Sequence, residues 1–96
     1  MTQEALPTLK CVIAWSDRRN LCDTIAEALR SVVAESDIRR IGDGAHLVFT
    51  TAPADELRDG LREKLGSDEG LLVVGFEVWS GYGQAVDSRW LLARGH

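Results

Sequence analysis

The chain is short of cysteine, proline, long apolar runs and positive charge, and each shortage removes a class of protein. Only two cysteines are present, Cys11 and Cys22. Their spacing fits neither a zinc motif nor a disulfide framework, so they read as reduced thiols of a cytosolic protein. Proline is confined to Pro7 and Pro53, each at the edge of a patterned segment, and no repeat or low-complexity stretch interrupts the chain. No apolar run approaches the ~18 residues needed to span a bilayer. Met1–Pro7 lacks a basic region and an apolar core, so it reads as a short leader and not as an export signal. A cytoplasmic protein with no membrane partner is expected. Lysine and arginine together number 11 against 15 acidic residues, a formal charge of −4. That balance disfavours a protein whose main task is sequence-independent grip on phosphates, while leaving room for a local basic patch.

What is present is an order of patterns. Leu9-Lys-Cys-Val-Ile-Ala-Trp15 is apolar on both faces, as central strands are. Ser16–Asn20 is polar, and with Asn20 as N-cap Asp23 falls at N3 of the following helix, where a carboxylate suits the dipole. Leu21, Ile25, Leu29 and Val32 recur at helical spacing, and the helix fades near Ala34–Ser36. Asp37–Ile41, Gly42-Asp43-Gly44 and Ala45–Thr51 read as a hairpin whose glycines supply positive φ angles. Its second arm puts Leu47 and Phe49 on one face and His46, Val48 and Thr50 on the other.

Thr51-Ala-Pro-Ala-Asp-Glu starts a second helix with Pro53 in the first turn, and Leu57, Leu61 and Leu65 mark its apolar face. Gly60 weakens that helix by roughly 1 kcal/mol relative to alanine, and Gly66 is expected to end it in a left-handed conformation. Leu71–Trp79 reads as a strand with Leu72, Val74, Phe76 and Val78 beneath the helices. The order βαββαβ predicts an α+β, ferredoxin-like sandwich: a four-stranded antiparallel sheet with two helices on one face. We expect one domain over 1–96, with a core at about 8–79 and a C-terminal extension at 80–96.

Two helices cover one face of such a sheet, so the other must meet water, a ligand or another copy. Trp90-Leu91-Leu92 makes a poor solvated tail, and the Gly81-Tyr82-Gly83 link before it allows a change of direction. We expect a fifth strand that crosses to a partner's sheet edge in a C2 homodimer, the alternative being a strand folded back on its own sheet. The candidates for the dimer interface are Trp79, Tyr82, Trp90, Leu91 and Leu92. Trp79, Tyr82 and Trp90 also suit a stacking platform for a flat ligand.

The stretch Val12-Ile-Ala-Trp-Ser-Asp-Arg-Arg19 before a helix, Leu47-Val-Phe49 leading into Thr51-Ala-Pro-Ala-Asp-Glu-Leu-Arg58, and the strand from Leu71 together resemble a known family. It comprises the small CRISPR-associated ferredoxin-like nuclease and adaptation proteins and their virulence-associated protein D-like relatives. The resemblance spans about residues 9 to 79. It implies a dimer with a C-terminal strand added across the interface, and metal-dependent phosphodiester cleavage by an aspartate at the end of the first strand. Here that strand closes with Trp15-Ser16, and the nearest carboxylate is Asp17. Under this reading Asp17 of each subunit would hold magnesium or manganese. Otherwise no cofactor is expected.

Among individual residues, Asp17 is the candidate metal-binding or catalytic carboxylate, with a loop or capping role as its plainer reading. Ser16 has no local base to make it a nucleophile. His46 has the side chain for acid–base work, and a lone strand histidine is commonly structural. Arg18, Arg19, Arg39 and Arg40 are the nucleic-acid candidates, provided that the fold brings their guanidinium groups onto one surface. Asp55, Glu56, Asp59 and Glu63 read as the solvated face of the second helix. No catalytic motif stands out. The sequence therefore points to a small non-enzymatic homodimer engaged in interaction or regulation, and a metal-dependent ribonuclease or nucleic-acid-binding protein is the alternative.

Overall fold

The first strand, β1 (Thr8–Trp15), is flanked on both sides by other strands, the position its two apolar faces suit. It pairs antiparallel with β3 (Ala45–Thr50) and β4 (Gly70–Phe76), while β2 (Ile38–Gly42) pairs antiparallel with β3. The sheet order is β2-β3-β1-β4, a ferredoxin-like arrangement, in a computed structural model that describes residues 6–95. The reading of Met1–Pro7 as a leader therefore falls largely outside the described residues.

Helices α1 (Cys22–Arg30) and α2 (Ala54–Arg62) lie on one face of the sheet. Their core joins Leu21, Ile25, Leu29, Leu57 and Leu61 to Val12, Ala14 and Val48 of the sheet. α1 stops at Arg30, earlier than its apolar periodicity suggests, so Val32 is exposed and Val33 enters the core in its place. The N-cap is Leu21 and not Asn20, which stands one position outside the helix and accepts from the Cys22 N–H through its Oδ1 at 2.8 Å. Pro53 stands just before α2, where its fixed φ is harmless and no amide is lost. Gly66 is not left-handed; its N–H donates instead to Glu69 Oε1 at 2.7 Å.

Two larger differences from expectation concern β4 and the C-terminal extension. The first concerns β4, whose helix-facing residues are Leu71 and Val73, leaving Leu72, Val74 and Phe76 on the opposite face. Pairing fixes this parity: Val12 faces Val73 across the β1–β4 ladder, so Val73 shares the face on which Val12 meets the helices. Both parities of the segment are apolar, so alternation carried no choice between them. The strand also ends at Phe76, and Val78 lies beyond it in solvent.

The second correction is the extension. Ser88–Ala93 is a short helix, α3, and not a fifth strand, and it packs on the open face of its own sheet. Trp90 and Leu91 bury against Leu9, with Leu47, Phe49, Phe76, Trp79 and Val86 around them. Spacing explains the choice: adjacent Trp90 and Leu91 meet one surface together on a helix, whereas a strand would point them to opposite sides.

Candidate functional site

Three polar contacts pin α3 beside β2. Asp87 caps the helix by accepting from the Trp90 N–H at 3.1 Å and forms an ion pair with Arg39. The Trp90 indole donates Nε1–H to the Ser36 carbonyl at 2.8 Å. Arg94 pairs with Asp37 at 2.9 Å and stacks over the Trp90 ring, 4.1 Å from its centroid. The helix thus shields the end of the sheet built from Leu9, Phe49 and Phe76.

The other end stays bare. Ile13 is 37 % exposed, Trp15 54 %, Leu72 50 % and Val74 41 %. These side chains form one strip, because Ile13 sits opposite Leu72 and Cys11 opposite Val74 across the β1–β4 ladder. Burial pushes the Cys11 thiol above its usual range. Trp15 lies across Gly70, its partner in the register: a Cβ at Gly70 would stand 2.1 Å from the indole. The missing side chain lets the ring lie flat on the sheet with its outer face in water. Among the described residues β4 is a sheet edge, so backbone groups without a neighbouring strand border the strip.

The four candidate arginines are not gathered on one surface. Arg39 and Arg40 are adjacent on β2 and project to opposite faces, Arg39 to Asp87 beside α3 and Arg40 to Asp43 in the hairpin turn. Arg18 and Arg19 lie in the loop after β1, and both are engaged with the α2–β4 loop. Arg18 pairs with Asp68 at 2.8 Å. Arg19 grips both oxygens of Glu69 at 2.7 Å and donates to the Lys64 carbonyl at 3.0 Å. That fork, the Gly66 N–H and the Ser16 hydroxyl hold the Glu69 carboxyl well below the usual carboxylate range.

Asp17 is exposed in the same loop, and among the described residues no group of three or more metal-ligating side chains converges. Of the proposed dimer residues, Trp90 and Leu91 are spent inside the chain, Trp79 packs beside them, and Tyr82 and Leu92 are exposed. The alternation expected for β4 puts Leu72 and Val74 under the helices, so half of the bare strip carries no signal in the sequence.

On the helix side, His46 is 1 % exposed, and among the described residues neither ring nitrogen has a hydrogen-bond partner. Burial first, then Arg40 and Arg30, push its pKa below the ordinary histidine value. Lys10 is also buried on this side; its ammonium donates to Thr8 Oγ1 at 2.6 Å and to the Thr50 carbonyl at 2.8 Å, and burial lowers its pKa. No family model matches the chain, and neither the curated proteins nor the solved structures compared with it include a match.

Proposed function

We propose that this protein is a non-enzymatic interaction module that works as a homodimer, with the bare strip of its sheet as the contact. The observation that carries the reading is the exposure of Ile13, Trp15, Leu72 and Val74 beside β4, the edge strand of the sheet among the described residues. From Cys11 to Trp15 the strip runs about 13 Å, and two strands of side chains over that length present on the order of 300 Å². None of its residues is charged, so it is complementary to itself under a two-fold axis, where each residue meets its own equivalent or near neighbour. Two copies of the strip bury on the order of 600 Å² in all, less than a standard interface, so the reading requires the neighbouring β4 edge to pair across the two-fold as well.

Sedimentation equilibrium of the full chain over about 1–100 µM is the test. The expected result is a concentration-dependent rise from the monomer to the dimer mass, abolished by Val74→Lys. Single chains throughout that range would reject the reading. The alternative of metal-dependent RNA cleavage has one carboxylate per subunit to work with, Asp17. Cleavage with magnesium or manganese that is lost in Asp17→Ala would replace the homodimer as the functional conclusion.

A further inference from the structure

A buried histidine with two idle nitrogens calls for a physical account, since almost all buried polar groups in folded proteins have partners. His46 borders a cavity of about 230 Å³ between α1, the 3₁₀ turn Glu35–Asp37 and β2. Cys22 and Asp23 from the first turn of α1, Arg30 from its last turn, Glu35 and Arg40 complete the polar part of the wall. The two guanidinium groups sit at the exposed ends of weak pairs, Arg30 with Glu35 at 3.6 Å and Arg40 with Asp43 in the turn. Such surface pairs cost little to exchange for a better acceptor.

We propose that this cavity binds a small oxyanion, of the phosphate or phosphomonoester class, through Arg40, Arg30 and a ring N–H of His46. The cavity has room for a phosphate group and for a small organic substituent on it. A neutral imidazole offers one N–H donor to an anion and keeps an acceptor for the ligand's own proton. Arginine forks match the geometry of phosphate oxygens. The first turn of α1 lies at the cavity wall, where the helix dipole favours negative charge, although the Cys22 N–H is already given to Asn20. An oxyanion is favoured over a cation because the charges that act on His46 are those of Arg40 and Arg30, and because no three metal-ligating side chains converge among the described residues. Asp23 and Glu35 limit the charge the site tolerates, which selects a small anion over a polyanion such as RNA. The site lies on the helix side of the sheet and is independent of the dimer strip.

Nitrogen-detected NMR of the imidazole rings, with the full chain titrated with inorganic phosphate at constant ionic strength, tests this directly. The expected result is a saturable shift of the His46 ring signals with its pKa raised, absent with chloride. In Arg40→Gln the affinity should be at least about tenfold weaker while the unliganded spectrum keeps its fold. His46 signals that stay unmoved by phosphate, or that move equally in Arg40→Gln, would overturn the site. The same samples in the ultracentrifuge separate this outcome from the dimer, because neither the phosphate nor the Arg40 change touches the strip.

Discussion

His46 makes the clearest single-residue statement about pH. Its neutral form is favoured in the folded chain, so its folded pKa lies below the unfolded value of about 6.5. Above pH ~6.5 the ring is neutral in both states, and its contribution is fully present. As pH falls below that value, the unfolded chain takes a proton that the folded chain refuses, and stability drops by up to ~1.4 kcal/mol per pH unit until the folded pKa is reached. Urea melts at pH 7.5 and pH 5.5 should show this loss, and His46→Leu should remove most of it. The leucine variant should also match or exceed the parent at pH 7.5, since it removes two unsatisfied buried nitrogens. Glu69 has the same sense in a lower pH range: its carboxyl is depressed, so its support for the β1 loop holds above the ordinary carboxylate pKa and fades as pH falls below it.

At the scale of elements, two glycines have opposite roles. Gly44 turns the β2–β3 hairpin with φ of +90°, and a Cβ there would stand 2.4 Å from the Ala14 carbonyl oxygen. Gly44→Ala should therefore cost on the order of 2 kcal/mol by urea denaturation, from backbone strain and the clash combined. Gly60 is helical in α2 with nothing within 4 Å of an added Cβ, so Gly60→Ala should stabilise by about 1 kcal/mol in the same assay. α3 is too short to hold by itself and depends on the sheet beneath it. Trp90→Ala should lower stability by about 3 kcal/mol and release the helix, seen as faster amide exchange over Ser88–Ala93. A loss below about 1 kcal/mol would show that the ring is not part of the packed layer.

For the whole molecule, α3 changes what the open face is for. Had the extension crossed to a partner, Trp90 and Leu91 would have been the interface; seated on their own sheet, they shrink the bare surface to one strip and set the strength of any dimer. Val74→Lys should leave the melting curve close to the parent's, since a side chain 41 % exposed contributes little to the core, while it lowers the sedimenting mass to that of one chain. Among the described residues no helix is long and apolar enough to cross a membrane. The acidic surface charge is distributed in local ion pairs, including those of Arg18, Arg19, Arg39 and Arg40.

The element order, the central place of β1, a left-handed hairpin glycine (Gly44, though not Gly42, which ends β2) and most of the apolar faces of α1 and α2 were legible residue by residue, because each rests on local periodicity or a local φ requirement. Contacts between segments distant in the chain decided the rest. The parity of β4 came from its register with β1, since Leu71–Val74 is apolar in either phase. The helical form of Ser88–Ala93 came from the hydrophobic surface it meets. The isolation of His46 came from what α1 and β2 place around it. None of these has a signature in neighbouring residues, because each is a choice between locally equivalent states made by packing energy.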